Sequence, residues 1–295
     1  MTDISRVGVL GCGLMGGGIA QACATAGVPT VVRDVEQGLL AKGEAAIAQS
    51  LGKLVEKAKL GAGKRDAALR HLSFTTRLED VAGCDLIIEA VTEDLGLKNG
   101  LWRELDPISP PATIFASNTS SLSIGDMGAA TARPDRFVGL HFFNPVPLMP
   151  LVEVVRAVAT SSEVLQSALA FVRRLGKEPI VARDRSGFVV NRLLVPYLLD
   201  AARALEQGVG STADIDQGMR LGCGHPMGPL ALLDFIGLDT ALRIGDIMYQ
   251  EYRDPRFAPP PVVRRMVAAG MLGRKSGRGF YDYASDPPHP VDLGL

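Results

Sequence analysis

The chain has 295 residues, of which 47% are hydrophobic and 21% are charged, and its formal net charge is −1. This length allows two domains with cores of their own. The small net charge argues against nucleic acid or an anionic membrane as a partner, and no apolar run approaches the roughly 18 residues of a membrane span. The four cysteines show neither metal-ligand spacing nor a disulfide framework, and the N-terminus has no signal-peptide pattern, so we expect a cytoplasmic protein that needs no metal.

The first predicted elements are a strand, a glycine-rich turn, a helix and a second strand, which is the order of a dinucleotide-binding unit. Gly11 permits the tight turn, Gly13 lets the backbone approach a pyrophosphate, and Gly16 lets the helix pack closely on the strand. The amides at the helix N-terminus attract phosphate groups. The sequence therefore predicts that NAD binds at Gly11, Gly13, Leu14, Met15 and Gly16. The alternative is a glycine turn with a structural role only.

Asp34 stands at the end of the second predicted strand, residues 28–33. Its carboxylate can accept hydrogen bonds from the adenosine ribose hydroxyls, and its charge would repel a 2′-phosphate. We therefore expect NAD rather than NADP, although the neighbouring Arg33 keeps NADP open as an alternative.

Further strands are predicted along the first part of the chain, with helices between most of them, at 71–75, 86–91, 113–117, 137–143, 151–155 and 178–182. Residues 61–64 are expected to form a loop. A polar run, SNTSS at 117–121, follows one buried strand. Polar groups at the carboxyl end of a strand bind ligands in an open α/β sheet. The alternative, a helix N-cap, accounts for only one or two of these five residues.

Residues 136–155 predict a strand, a proline-containing turn and a second strand, and we expect the chemistry here. His141 lies in the first strand, Asn144 in the turn and Glu153 in the second strand. Burial of an imidazole and a carboxylate is costly unless each finds a partner, and this arrangement can bring them together. A histidine held by a glutamate transfers protons near neutral pH. The alternative is a core histidine and a surface glutamate.

The pattern changes from strands to helical periodicity near residue 185. We therefore predict an α/β fold with a Rossmann-type dinucleotide-binding domain at 1–185 and an all-α domain at 186–295. The last dozen residues are expected to be frayed. Helices 188–207 and 239–252 carry more apolar residues than one small helical domain readily hides, which predicts a homodimer through this domain.

Seven stretches, in order along nearly the whole chain, carry a family resemblance: GCGLMGGGIAQ (11–21), EAVTEDLGLK (89–98), ASNTSSLSI (116–124), HFFNPVPLMPLVEVV (141–155), GFVVNRLLVPYL (187–198), GHPMGPLALLDFIGLD (224–239) and GRKSGRGFYDY (273–283). On these stretches the chain resembles the L-3-hydroxyacyl-CoA dehydrogenase family, and within it the short bacterial members that act on 3-hydroxybutyryl-CoA. The resemblance implies oxidation of an acyl-CoA substrate by NAD and a helical second domain that dimerises.

The same resemblance implies roles for individual residues. The position matching His141 is the general base, and the position matching Glu153 orients it. Positions that contact substrate or nicotinamide match Ser120, Asn144 and Asn191, and positions that hold NAD match Asp34, Glu93 and Lys98. Ser50 and Lys57 fall where a helix of the family meets CoA, and Ser186 replaces a proline that is common before the Gly-Phe of the linker, which is expected to loosen the hinge.

Three other functions are consistent with parts of the sequence. A dehydrogenase of a non-CoA hydroxyacid such as L-gulonate has the same fold and the same His-Glu pair. A hydroxyacid dehydrogenase with a catalytic lysine is disfavoured, because the first helical stretch after the boundary, 187–208, contains no lysine. A non-enzymatic NAD-binding protein would need neither His141 nor Glu153.

Overall fold

The structure is a computed structural model that describes residues 2–294. It separates into two compact units that divide between Phe188 and Val189. The sequence predicted this division three residues earlier, after residue 185, where the strand pattern ends.

An eight-stranded sheet organises the first unit. Its strands are β1 (Val7–Leu10), β2 (Thr30–Arg33), β3 (Leu72–Thr75), β4 (Leu86–Glu89), β5 (Ile114–Ser117), β6 (Phe137–Phe142), β7 (Leu151–Arg156) and β8 (Glu178–Arg183). The spatial order is β3-β2-β1-β4-β5-β6-β7-β8, and within this sheet only β6 and β7 pair antiparallel. The strand order reverses between β1 and β4, where open α/β sheets bind ligands at their carboxyl edge. The predicted Rossmann-type fold is confirmed.

Seven helices pack against this sheet: α1 (Leu14–Thr25), α2 (Gln37–Glu56), α3 (Ala62–Arg70), α4 (Glu79–Ala82), α5 (Leu95–Leu105), α6 (Ile124–Ala129) and α7 (Ser162–Arg174). Helices α1, α2, α3 and α7 contribute to one apolar cluster, and α4, α5 and α6 contribute to the other. Along β4, Leu86 and Ile88 enter the first cluster and Ile87 enters the second. Side chains alternate across a strand, so the continuous apolar runs of these strands fit a sheet that is covered on both faces.

The prediction of a loop at residues 61–64 was wrong, because α3 begins at Ala62 with Gly61 as its N-cap. The run AGKRDAALR contains good helix formers, and Ala68 packs into the first apolar cluster. Packing of Ala68 against the core stabilises this helix, and the glycines that suggested a loop lie at its start.

The second unit is helical, with α8 (Val190–Glu206), α9 (Thr212–Cys223), α10 (Pro229–Ile236), α11 (Leu238–Tyr252) and α12 (Pro261–Ala268). Two short strands follow, β9 (Tyr281–Asp282) and β10 (His289–Pro290), which pair antiparallel. The Val291 amide also donates to the Phe280 carbonyl at 2.9 Å. The expectation of a frayed C-terminus was therefore wrong for the described part of the tail, because backbone hydrogen bonds hold it.

Most of the apolar side chains that suggested a subunit interface are hidden within the chain. Leu198, Leu199, Ala241, Ile244 and Met248 are all buried, and they belong to the two apolar clusters of the helical unit. Among residues 2–294, no helix combines the length and the apolar character that a membrane span requires.

Candidate active site

The glycine turn between β1 and α1 has the geometry that its residue types predict. Gly11 has a φ of +95°, in the left-handed region that favours glycine. A Cβ at Gly16 would lie 1.9 Å from the Gly11 carbonyl oxygen, so only glycine lets the helix approach the turn this closely. A Cβ at Gly13 would meet no atom within 4 Å, and Gly13 is the N-cap of α1 without any side-chain cap. The first amides of α1 are therefore available for an anionic ligand.

Asp34 fastens the end of β2 to this turn. One carboxylate oxygen accepts from the Cys12 amide at 2.7 Å, and the other accepts from the Val35 amide at 2.7 Å. Burial, together with the charges of Asp34 and Glu44, raises the pKa of the Cys12 thiol to about 11. Cys12 is thus a neutral packing residue in the turn at physiological pH.

A cavity of about 940 Å³ opens above the turn. Its lining includes Gly11, Gly13, Leu14, Asp34, Asn144 and Ser50. Met15 instead packs against the first apolar cluster. An uncapped helix N-terminus and a carboxylate on one cavity wall fit the pyrophosphate and ribose of a dinucleotide.

A second cavity of about 380 Å³ adjoins the first, and the two share Ser50 and Pro145 on their walls. Three lysines also line the smaller cavity: Lys53, Lys57 and Lys59. These lysines give it a positive lining suited to an anionic group.

His141 and Glu153 lie directly opposite each other in the antiparallel pair β6–β7. Because facing residues of such a pair project to the same side, the side chains meet, and Nδ1 of His141 lies 2.6 Å from Oε2 of Glu153. The glutamate is fully buried and the histidine is 6% exposed. A carboxylate acceptor at Nδ1 favours the tautomer that carries its proton there, which leaves the Nε2 lone pair free to accept a proton.

Two aromatic rings flank the imidazole. The ring centroids of Phe143 and Phe188 lie 4.5 Å and 5.6 Å from that of His141. Phe188 has a φ of +46°, which is unusual for a bulky residue. Nearby, the buried Ser186 hydroxyl donates to the Ser121 carbonyl at 3.1 Å. A proline could not make this bond. Ser186 therefore ties the linker to residue 121, whereas the sequence had suggested that it would loosen the hinge.

The polar run 117–121 lies at the carboxyl end of β5 and is held by a carboxylate from the loop between β4 and α5. Oε1 of Glu93 accepts from the Ser120 amide at 3.2 Å, from the Ser121 hydroxyl at 3.3 Å and from the Thr119 hydroxyl. The Asn118 side chain accepts from the Phe142 amide at 2.9 Å, which joins the run to the strand of His141. Within residues 2–294, the Ser120 hydroxyl makes no hydrogen bond of its own, so it is available to a ligand.

Lys98 is buried, and its ammonium binds two protein carboxylates. Its Nζ lies 2.8 Å from Glu89 and 2.8 Å from Glu93. Burial alone would raise the pKa of Glu93, but the Lys98 charge and the hydrogen bonds from Lys98, Thr119 and Ser120 outweigh it, and the pKa is lowered. Lys98 therefore fixes Glu93 as a charged acceptor beside the polar run.

Glu89, the other partner of Lys98, is not among the site residues predicted from the sequence. It is fully buried, and it also accepts from the Val91 amide at 2.7 Å and from the Ser117 hydroxyl at 2.6 Å. An acid at the end of an otherwise apolar strand was the available signal, because such an acid needs partners. The remaining predicted residue, Asn191, is the second residue of α8 in the helical unit.

Comparison with known proteins gives matches along nearly the whole chain. The protein-family model for the 3-hydroxyacyl-CoA dehydrogenase NAD binding domain matches residues 6–185. The family model for the 3-hydroxyacyl-CoA dehydrogenase C-terminal domain matches residues 187–283. The chain is 48% identical over 286 residues to a 3-hydroxybutyryl-CoA dehydrogenase of Mycobacterium tuberculosis, covering 96% of this chain and 100% of that protein.

Two further proteins are similar to this chain over most of its length. The mitochondrial hydroxyacyl-coenzyme A dehydrogenase of Sus scrofa is 46% identical over 287 residues, which cover 95% of this chain and 91% of that protein. The crystal structure of (S)-3-hydroxybutyryl-CoA dehydrogenase from Ralstonia eutropha superposes with a TM-score of 0.93 at 46% identity. It covers 96% of this chain and 100% of that chain.

Proposed function

This chain belongs to the 3-hydroxyacyl-CoA dehydrogenase family, and from that premise we propose that it interconverts short-chain L-3-hydroxyacyl-CoA and 3-ketoacyl-CoA, with 3-hydroxybutyryl-CoA as its main substrate. The family membership makes it an NAD-dependent oxidoreductase. The preference for a four-carbon acyl group is supported by the names of its relatives from Mycobacterium tuberculosis and Ralstonia eutropha.

The observation that carries the proposed mechanism is the buried His141–Glu153 pair at 2.6 Å. A secondary alcohol becomes a ketone only if its hydroxyl proton leaves as the hydride departs from C3. Nε2 of His141 takes this proton, and Glu153 stabilises the imidazolium that forms. NAD, when bound, accepts the hydride.

Ser120 and Asn144 orient the substrate in this proposal. The unpartnered Ser120 hydroxyl and the Asn144 amide hydrogen-bond the reacting oxygen or the thioester carbonyl, which fixes the face of C3 presented to the cofactor. Asn144 also lines the large cavity, and it follows the end of β6, the strand that carries His141, by two residues. A substrate contact is also proposed for Asn191, and the family motif around it is the support.

The two cavities divide the ligands between them. Gly11, Gly13, Leu14, Met15 and Gly16 form the turn that holds the pyrophosphate of NAD, although Met15 acts through packing. The Asp34 carboxylate receives the ribose hydroxyls, and Glu93, set by Lys98, contacts the neighbouring part of the cofactor. Ser50 and Lys57 in the smaller cavity bind the CoA moiety, whose phosphates match its positive lining.

We also infer a homodimer through the helical unit. The support now comes from apolar side chains that stay exposed in the single chain, Leu193 on α8 and Leu221 on α9, which are 70% and 74% exposed. Light scattering at micromolar concentration should give twice the chain mass of 31.2 kDa, and a monomer mass would contradict the inference. A cytoplasmic location is proposed as well, and the four unpaired thiols are its support.

The direct test is NADH consumption with 3-ketoacyl-CoA substrates of increasing length, with free acetoacetate as the matched control. We expect the highest kcat/KM with acetoacetyl-CoA and little activity with free acetoacetate, because only the thioester carries the CoA moiety. Turnover of acetoacetate that equals that of acetoacetyl-CoA would refute an acyl-CoA substrate. A maximum at longer chains would refute the four-carbon preference alone.

A further inference from the structure

Glu89 and Lys98 form a charged group that is sealed from solvent beneath residues 117–121. Glu89 is 0% exposed and Lys98 is 1% exposed. With Glu93, the group holds two carboxylates and one ammonium, joined by Nζ–oxygen distances of 2.8 Å on both sides. The Lys98 side chain therefore links two acidic side chains from the same edge of the sheet.

Both ends of this group reach the loop that carries Ser120. On one side, Ser117 is the register partner of Glu89 across β4–β5 and donates its hydroxyl to Oε2 at 2.6 Å. The Thr119 amide then donates to the Ser117 hydroxyl at 3.2 Å. On the other side, Lys98 binds Glu93, which accepts from the Ser120 amide at 3.2 Å. The two successive backbone amides that lead into Ser120, those of Thr119 and Ser120 itself, are thus both linked to one buried carboxylate.

We propose that Glu89 is a positioning residue that sets Ser120 for catalysis through Ser117 on one side and through Lys98 and Glu93 on the other. This inference rests on the proposed function, in which Ser120 contacts the substrate. Glu89 itself touches neither substrate nor cofactor. It acts by fixing the conformation of residues 117–121, since a displacement of about 1 Å in a substrate-orienting group can lower a rate 10²-fold.

Stability alone does not account for this arrangement. Buried ion pairs lose hydration that their mutual attraction often fails to recover, and apolar residues of similar volume are frequently as stable or more stable. A fully satisfied polar network does, however, restrict the chain to one conformation. Here the part so restricted is the segment that carries an unpartnered hydroxyl at the carboxyl edge of the sheet.

Glutamine at position 89 would disturb this geometry with little change in shape. Val91 and Lys98 both donate to Oε1, so the new amide nitrogen would have to face the Ser117 hydroxyl. That hydroxyl would then have to accept from the amide, although it already accepts from Thr119, and its own proton would lose its acceptor. Glu89→Gln should therefore leave residues 117–121 less firmly held in one conformation.

The test compares steady-state kinetics of the unmodified enzyme with Glu89→Gln, Ser117→Ala and the double variant, with acetoacetyl-CoA and NADH. Glu79→Gln, an exposed glutamate on α4, is the matched control and should leave kcat unchanged. We expect kcat to fall roughly 10- to 100-fold in Glu89→Gln, while the KM for NADH changes little. The double variant should be no slower than the slower single variant, because both break one link.

The pH–rate profile separates positioning from proton transfer. In Glu89→Gln the plateau should fall while the acid limb keeps its position, since His141 remains the base. A shifted limb, or unchanged kcat in folded Glu89→Gln, overturns the inference. If Glu89→Gln does not fold, Ser117→Ala decides: a lowered kcat supports the positioning role, and an unchanged kcat overturns it. An unmodified enzyme without acetoacetyl-CoA turnover would instead refute the proposed function.

Discussion

Replacing Glu153 by glutamine keeps the size of the side chain and removes the charge that faces His141. The two groups lie 2.6 Å apart, and Glu153 is fully buried, so water cannot replace the lost carboxylate. A hydrogen bond to a charged group contributes roughly 1.5–3 kcal/mol, and about 1.4 kcal/mol changes a rate tenfold. We therefore expect kcat to fall roughly 10- to 150-fold, near the upper end if the amide nitrogen also selects the wrong tautomer.

The companion variant His141→Gln removes the base itself. It should lower turnover by roughly 10²–10⁴, the range for loss of a general acid-base group. NADH binding should persist, because the glycine turn and Asp34 form a different part of the unit. The double variant should match His141→Gln, since the orienting group has no effect once the base is absent.

The assay is stopped-flow hydride transfer on folded variants that have first been shown to bind NADH. The fall in oxidation rate at low pH should also disappear in His141→Gln. Near-normal transfer in that variant would refute the mechanism and leave His141 as a packing residue, whose loss should lower stability instead. Losses that multiply in the double variant would show that Glu153 does not act through His141.

Three further predictions follow from the other contacts. Asp34→Ala should relax the preference for NADH over NADPH in steady-state kinetics, and equal use of both cofactors by the unmodified enzyme would contradict the role of Asp34. Lys177→Met should lower the free energy of unfolding by about 1–3 kcal/mol in denaturant titrations, because the Lys177 ammonium donates to the Val146 and Met149 carbonyls at 2.6 Å and 2.8 Å; an equal or higher denaturant midpoint would contradict this. The pKa of Glu93 is lowered in the folded protein, so the unfolded chain binds more protons. The ionised Glu93 therefore stabilises the fold above the unfolded pKa of about 4.3, and this contribution is lost as the pH falls through the folded pKa. In Glu93→Gln the free energy of unfolding should fall less steeply at acidic pH, and an unchanged dependence would contradict the assignment.

The sequence by itself determined those features that neighbouring residues decide. The turn from Gly11 to Gly16 follows from the backbone freedom of glycine between a strand and a helix. The sheet follows from continuous apolar runs, which only a sheet covered on both faces can bury. The candidates His141 and Glu153 were recognisable because ionisable groups in apolar strands require partners.

Tertiary structure decided which of these residues meet. Glu89 and Ser117 belong to separate strands, and only the parallel register of β4 and β5 places them side by side. In the same way, the antiparallel register of β6 and β7 places His141 against Glu153. Tertiary packing also buried most of the apolar residues of the helical unit that had suggested an interface. A one-residue shift in register would turn each side chain to the other face, and this register depends on the packing of the whole sheet, which short-range sequence patterns do not encode.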